Sequence, residues 1–302
     1  MAERLNRSSL ATEQQNPSSM DLDSKSVAKI LEIINREDST VSEAVREVLP
    51  QLEKVVNLAV DAIRGGHHVI YVGAGTSGRL GVLDAAECPP TFSAPPDFFQ
   101  GVIAGGEEAL RQSIEGAEDK PEDAERDLKS IGVREGDVVI GIASSGTTTY
   151  VLHALQYAKT KGSSTVFLIC NPSPIVEIDV DVLIAVDVGQ EVITGSTRMK
   201  SGTATKMILN MISTATMVRF GKVYGNLMVD LKAVNEKLVD RGNRIISQLT
   251  GLDYDSANDL LMDAGKEVKT AIVMHHQKCD YDTARQTLDD NDGFLRFVIE
   301  TK

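Results

Sequence analysis

Short runs of consecutive apolar residues alternate with helical patterns through the middle of the chain, and this alternation restricts the fold more than any other feature. One run at 69–72 precedes a helical pattern at 77–87, and the most continuous runs are 138–142 and 165–169. Strands that are apolar on both faces need helices on each side, and right-handed crossovers make such strands parallel. The sequence therefore predicts an α/β fold built on a doubly wound parallel sheet.

Helices are predicted on both sides of this central region. The remaining elements within it are strands at 101–104 and 182–186 and helices at 107–116, 121–131 and 148–161. One N-terminal helix begins near Ser24, and a second ends near Gly65 and is expected to be kinked or divided at Pro50. A helical region follows at 202–249, and a small three-helix appendage follows that.

These patterns divide the chain into three parts. Residues 1–23 are polar and predict an arm that is either mobile or ordered only against a partner chain. Residues 24–250 form the main domain with its flanking helices, and residues 251–302 form a small helical C-terminal domain.

Composition argues against several classes of partner. The formal net charge of -13 disfavours nucleic acid, because a binder of the phosphate backbone needs a Lys/Arg-rich face. No run approaches the roughly 20 apolar residues that span a bilayer, so we expect no membrane partner and a cytoplasmic location. The three cysteines are far apart and without CxxC spacing, and the histidines have no companions at ligand spacing, so neither a metal site nor a disulfide framework is predicted.

Two loops rich in Gly, Ser and Thr follow the strands predicted at 69–72 and 138–142. The first reads GAGTSGR from Gly73, and the second reads ASSGTTT from Ala143. Backbone N–H groups at the start of a helix bind phosphate, and nearby hydroxyls add further donors. The candidate phosphate-binding residues are Thr76, Ser77, Ser144, Ser145, Thr147 and Thr148.

Each loop also has another interpretation. The first fits the GxGxxG dinucleotide pattern, but Gly105 and Gly106 stand where an acidic residue would hold a ribose after the next strand. In the second loop, one hydroxyl could serve only as a helix N-cap, although a cap alone does not need five hydroxyl residues.

A third polar cluster, TGSTRMKSGTATK from Thr194, opens the helical region at 202–249. Its hydroxyls and cations could hold the hydroxyls or carboxylate of an anionic substrate, or the segment could be a solvated loop with a helix cap. The candidates here are Ser196, Thr197, Arg198 and Lys200.

These features together resemble the sugar isomerase domain family, in which a doubly wound sheet binds phosphosugars through Ser/Thr loops. More closely, the segments GRLGVLDAAECPPTF from Gly78, IAGG from Ile103, EGAED from Glu115 and TGSTRMKSGT from Thr194 resemble the N-acetylmuramic acid 6-phosphate etherases and the related glucokinase regulatory proteins. The resemblance covers most of the chain, including its helical end. One departure is the second loop, which reads SSGTTTY where the family usually has ASGRTPY, so the cation that neutralises the phosphate is not identified.

The resemblance implies a homodimeric lyase without cofactor or metal. Such an enzyme eliminates the D-lactyl ether at C3 of a phosphorylated amino sugar and adds water, giving N-acetylglucosamine 6-phosphate and D-lactate. The family's two catalytic glutamates match Glu87 and Glu118. We assign Glu87 as the acid toward the ether oxygen and Glu118 as the base at C2; from the residues alone, Glu87 would be a helix-end carboxylate and Glu118 part of a solvated acidic run.

The chemistry agrees with a need for two carboxyl groups. The C2 proton of the open-chain aldehyde needs a base, and lactate leaves poorly unless its ether oxygen is protonated. The acid must therefore be neutral, which burial or a neighbouring carboxylate can achieve.

Two other functions fit the same fold. A regulatory protein that binds a phosphosugar without turnover is disfavoured by the presence of both Glu87 and Glu118. An aldose-ketose phosphosugar isomerase also needs a base at C2, but it has no use for an acid aimed at a C3 ether.

Overall fold

The computed structural model describes residues 8–300, and the chain forms two compact units. The first comprises the chain up to Ala86 together with Asp97–Ser213, and the second comprises Glu87–Pro96 together with the chain from Thr214 onward. No described helix combines the length and the apolar character needed to cross a membrane.

The first unit is built on a parallel sheet, as the sequence predicts. Its strands, within the described residues, are β1 (Val69–Gly73), β2 (Phe99–Ile103), β3 (Val138–Ile142), β4 (Ser164–Ile169) and β5 (Val182–Ala185). They lie in the order β2-β1-β3-β4-β5, and every pairing is parallel. Strand β1 starts in register with both neighbours, since Val69 pairs with Phe99 and with Val138. The carboxyl ends of β1, β2 and β3 therefore lie side by side, which is where the Ser/Thr loops begin.

Helices alternate with the strands in the first unit, and further helices follow in the second unit. They are α1 (Val27–Asp38), α2 (Val41–Arg46), α3 (Leu49–Arg64), α4 (Gly75–Phe92), α5 (Pro121–Ser130), α6 (Thr149–Thr160), α7 (Lys200–Arg219), α8 (Glu236–Thr250), α9 (Tyr254–Asp263), α10 (Val268–Gln277), α11 (Tyr281–Asp290) and α12 (Leu295–Ile299). Pro50 lies in the first turn of α3, just after α2, so the predicted division of the second helix is confirmed.

The continuous apolar strands are buried because helices cover them. Ile70 and Val72 of β1 pack in one core with Leu128 of α5 and Leu155 of α6. Side chains alternate along a strand, so Tyr71 points to the other face, where a Cβ at Gly81 of α4 would lie 2.9 Å from Tyr71 Cβ. Both faces of β1 are therefore covered, which explains why its sequence shows no polar alternation.

Two helical predictions are wrong in detail. The predicted helix at 107–116 is replaced by 3-10 turns at Gly106–Leu110 and Ala117–Asp119, because Gly105 and Gly116 have φ values of 87° and 72° that end regular helix. The helical region at 202–249 is interrupted between α7 and α8.

The N-terminal segment is ordered against its own unit from residue 8 onward. The Thr12 carbonyl accepts from Gly195 N, and Ser19 Oγ donates to Val192 O at 2.7 Å. Of the arm predicted at 1–23, residues 1–7 lie outside the described residues.

Four helices, α9 to α12, follow residue 251 where the sequence predicts three, and they form one core with α8. The buried Lys269 lies at its edge, where its Nζ donates to Gly221 O, Gly293 O and Asp230 Oδ2 at 2.9–3.0 Å. Burial lowers the pKa of Lys269, and the ion pair with Asp230 opposes that effect.

Candidate active site

The first Ser/Thr loop is a tight turn from β1 into α4. Helix α4 begins at Gly75, so Thr76 and Ser77 lie in its first turn, where backbone N–H groups have no partner within the helix. Ser77 is buried and Thr76 is half-buried. A Cβ at Gly78 would lie 2.7 Å from Gly73 O, so only glycine permits this close approach of helix and strand.

The second loop leads from β3 into α6 and is organised by its own hydroxyls. Ser145 Oγ and Thr147 Oγ1 share a hydrogen bond of 2.9 Å, and Thr147 N donates to Ser145 Oγ at 3.2 Å. Thr148 is the residue before α6, yet its side chain makes no capping hydrogen bond. The simple N-cap interpretation therefore does not account for Thr148.

Asn171, which the sequence analysis missed, holds the second loop in place. Its Nδ2 donates to Ser144 O at 2.8 Å, and Cys170 N donates to the same carbonyl at 3.0 Å. Both residues follow β4, so the loop is fixed to the end of the neighbouring strand. Asn171 Oδ1 is buried without a hydrogen-bond partner. Burial raises the pKa of the Cys170 thiol to about 11, so this thiol stays protonated at neutral pH.

The third cluster lies beside the first loop, but Lys200 does not face a ligand. A Cβ at Gly202 would contact both Thr76 Cγ2 and Thr197 O at 3.6 Å, which brings these two clusters together. Lys200 is only 4% exposed, and its Nζ pairs with Glu37 Oε2 at 3.3 Å.

The start of α7 is likewise occupied by the protein itself. Lys200 N and Ser201 N each donate to the Glu191 carboxylate at 2.9 Å. The structure therefore gives Lys200 a structural role and does not support its predicted contact with substrate. Ser196 and Thr197 are half-buried, and Arg198 is exposed.

Glu118 lines a cavity at the carboxyl ends of β1 and β2. The cavity has a volume of about 150 Å³, and its wall combines small apolar side chains with a few charged ones. It is lined by Ala74, Gly75, Arg79, Ala104, Ala109, Ser113, Ile114, Glu115, Gly116, Ala117 and Glu118. The cavity thus joins the first Ser/Thr loop to the EGAED segment.

The second loop is tied to the same segment. Thr149 Oγ1, at the start of α6, donates to the backbone carbonyl of Glu118 at 3.0 Å. This contact places the beginning of α6 beside the backbone of Glu118, a residue that lines the cavity. Both loops and Glu118 therefore belong to one cluster of the first unit.

Arg79 is a second residue that the sequence analysis did not select. It is half-buried in the first turns of α4, and its Nη2 donates to Gln112 O at 3.0 Å. Arg79 is the fifth residue of α4, and a guanidinium can bind an anion through paired hydrogen bonds. Among the described residues that line the cavity, Arg79 alone is positively charged.

Asp84 fixes α4 to the rest of the first unit. Its carboxylate accepts from Tyr71 Oη at 3.0 Å, Asn210 Nδ2 at 2.6 Å and Ser213 Oγ at 3.1 Å. Burial raises the pKa of Asp84, although these three hydrogen bonds act to lower it. The helix that carries Arg79 is therefore anchored to both β1 and α7.

Glu87 lies farther along α4 and is exposed. The helix continues through Pro89 and Pro90 to Phe92, so Glu87 is not the helix-end residue that the sequence suggests. Glu118 is exposed as well. The sequence analysis expects burial or a neighbouring carboxylate to keep one of the two glutamates neutral. In the described chain neither glutamate side chain is buried.

Across residues 8–300, we find no group of three or more His, Cys, Asp or Glu side chains placed to hold a metal ion.

Comparison with protein families gives one matching domain. The glucokinase regulatory protein N-terminal SIS domain matches residues 48–159, a segment that includes both Ser/Thr loops, Glu87 and Glu118.

Curated relatives match nearly the full chain. The N-acetylmuramic acid 6-phosphate etherase of Rhodopirellula baltica is 50% identical over 301 residues, covering 100% of this chain and 99% of the relative. That of Salinibacter ruber is 53% identical, covering 96% of this chain and 94% of the relative. Among solved structures, a phosphoheptose isomerase from Francisella tularensis is 16% identical with a TM-score of 0.48, covering 62% of this chain and 98% of its own.

Proposed function

The chain belongs to the N-acetylmuramic acid 6-phosphate etherases, and we propose that it cleaves the D-lactyl ether of that sugar phosphate in cell-wall amino sugar recycling. The products are N-acetylglucosamine 6-phosphate and D-lactate. The observation that carries this function is the identity of about half of all residues with etherases over almost their whole length.

Glu118 acts as the base at C2 of the ring-opened sugar. Its carboxylate lines the cavity beside the first Ser/Thr loop, and Thr149 holds its backbone. Removal of the C2 proton gives an enolate, which expels the C3 ether oxygen and leaves a double bond between C2 and C3. Glu87 supplies the proton that lets lactate leave, and water then adds at C3 as a proton returns to C2.

The phosphate is held by the two Ser/Thr loops. The candidate donors are Thr76, Ser77, Ser144, Ser145, Thr147 and Thr148, with Ser196, Thr197 and Arg198 contacting other polar groups of the substrate. Thr147 is buried and bonded to Ser145, so this chain uses neutral donors and a helix N-terminus where the family's loop usually has an arginine.

The first experiment follows the atoms of the reaction in isotopic water. The protein is incubated with N-acetylmuramic acid 6-phosphate in oxygen-18 water, and both products are examined by mass spectrometry. Unlabelled D-lactate together with a heavy oxygen at C3 of the sugar supports elimination and hydration. Heavy oxygen in lactate would instead mean cleavage on the lactyl side of the ether and would refute the scheme.

Variants separate the two glutamates. In deuterium oxide, we expect Glu87→Gln to exchange the C2 proton of the substrate without releasing lactate, whereas Glu118→Gln does neither. Glu122→Gln is the matched control, because Glu122 is an exposed member of the same acidic run and should retain turnover. Exchange at C2 that survives in Glu118→Gln would remove Glu118 from the role of base.

The two remaining expectations concern assembly and location. A homodimer is supported by an apolar surface on the first unit, where Met20, Val27, Leu31 and Ile193 are exposed. Sedimentation equilibrium measures the oligomeric state directly.

A cytoplasmic location fits a phosphorylated substrate, which does not cross membranes unaided, and cell fractionation tests it.

A further inference from the structure

The cavity that contains Glu118 is too small for the whole substrate. Pockets that enclose a complete ligand usually measure about 300 Å³ or more, whereas this cavity measures about 150 Å³. It therefore receives one substituent of the sugar. Because Glu118 acts at C2 in the proposed function, the nearby substituents are the acetamido group on C2 itself and the lactyl ether on C3, and of these two only the lactyl group carries a charge.

The lining matches a lactyl group, which combines a methyl with a carboxylate. Ala104, Ala109 and Ala117 supply an apolar wall for the methyl. Arg79 supplies a planar cation, and guanidinium groups bind carboxylates through paired hydrogen bonds.

The charges around the cavity make this cation necessary. Glu115 and Glu118 both line the cavity, so an anionic substituent would be repelled if carboxylates were the only charges there. Arg79 is half-buried, and its contact with Gln112 O restrains the side chain. A restrained arginine loses less conformational entropy when it binds a ligand.

We propose that Arg79 binds the lactyl carboxylate and so distinguishes the substrate from its product sugar. This assignment rests on the proposed function, since it takes Glu118 as the base at C2. The phosphate is bound separately by the two Ser/Thr loops. Arg79 thus selects for the group that the reaction removes.

The test compares three ligands that differ only at C3. They are N-acetylmuramic acid 6-phosphate, its neutral lactyl amide, and N-acetylglucosamine 6-phosphate, which has no lactyl group. Binding is measured calorimetrically in the Glu87→Gln background, which prevents turnover. Arg79→Gln should weaken binding of the carboxylate ligand by about 10-fold to 150-fold, the range expected for hydrogen bonds to a charged group. The other two ligands should change less than about 3-fold.

Controls separate charge, folding and the proposed function itself. Arg111→Gln removes the same charge from an exposed neighbour and should leave all three affinities unchanged. Arg79→Lys should keep part of the preference for carboxylate over amide. Circular dichroism and thermal unfolding report, independently of ligand binding, that each variant is folded.

Two outcomes would overturn the inference. Equal loss for all three ligands would place Arg79 at the phosphate or the sugar, and no loss for any ligand would remove it from the site. Lactate release by the unsubstituted protein is measured first, so a failure of the proposed function is seen separately from a failure of the Arg79 assignment.

Discussion

Replacement of Asp84 tests how α4 is held in the first unit. In Asp84→Ala, the donors from Tyr71, Asn210 and Ser213 lose a buried acceptor. Hydrogen bonds to a charged group contribute about 1.5–3 kcal/mol each to stability. Removing the carboxylate also removes the cost of burying its charge, which offsets several kcal/mol of the three lost hydrogen bonds. We therefore expect a net loss of about 2–4 kcal/mol in the free energy of unfolding.

Asp84→Asn keeps the shape and separates the charge from the hydrogen bonds. Asn210 and Ser213 both donate to Oδ1, which the amide oxygen can replace, and the amide nitrogen can donate to the Tyr71 hydroxyl. The change should therefore cost less than about 1 kcal/mol at pH 7.

The pH dependence has a defined sign. Because the pKa of Asp84 is raised in the folded chain, its ionisation opposes folding. The protonated carboxyl carries no such cost below the ordinary value of 3.8. As pH rises from there through the folded-state pKa, the wild type loses stability relative to Asp84→Asn, and the difference is constant at higher pH.

Urea unfolding at several pH values measures both effects. Hydrogen-exchange mass spectrometry of peptides from β1 and α4 follows this part of the chain alone. The reasoning is refuted if Asp84→Asn is as damaging as Asp84→Ala, or if its stability relative to wild type falls as pH rises.

Two further substitutions have expected outcomes. Lys269→Met should destabilise the second unit by about 2–4 kcal/mol, because Gly221 O and Gly293 O lose their buried donor. Lys222→Met leaves Asp230 paired with Lys269 and should lower the free energy of unfolding by less than about 1 kcal/mol. Hydrogen exchange of peptides from α10, measured in urea, compares the two variants. Gly78→Ala should disrupt the first loop, because the added Cβ would lie against Gly73 O. At Gly75 an added Cβ meets no atom within 4 Å, so Gly75→Ala should lower the free energy of unfolding by only about 1–2 kcal/mol, the penalty of a left-handed backbone. Thermal unfolding of both variants measures the difference.

The sheet could be predicted from the sequence because its strands are locally encoded. The run 138–142 consists of four apolar residues and one glycine, and it forms β3 with those bounds. The helix predicted at 107–116 is absent, and Gly105 and Gly116 lie at the two ends of that segment. Those glycines adopt left-handed conformations that a helix cannot include.

The places of the candidate loops in the fold could be predicted where their residues follow a strand directly. The Ser/Thr loops are of this kind. The burial of Lys200 could not be predicted because its partner Glu37 lies 163 residues away in sequence, and no local pattern reveals a pair of that separation. Arg79 was not selected for a similar reason, since the segment 113–118 that lines the cavity with it is distant in sequence.

The distinction between local and overall charge also explains how so acidic a chain can accept an anionic substrate. The formal net charge is -13, but exposed charges more than about 8–10 Å from a ligand are largely screened at physiological ionic strength. At the cavity, the balance is set by Arg79 against Glu115 and Glu118. If Arg79 binds the lactyl carboxylate, departure of lactate removes that partner and leaves the product sugar beside two carboxylates. The same arrangement that attracts the substrate would then hold the product sugar less tightly, because the product offers nothing to the only cation among the described lining residues.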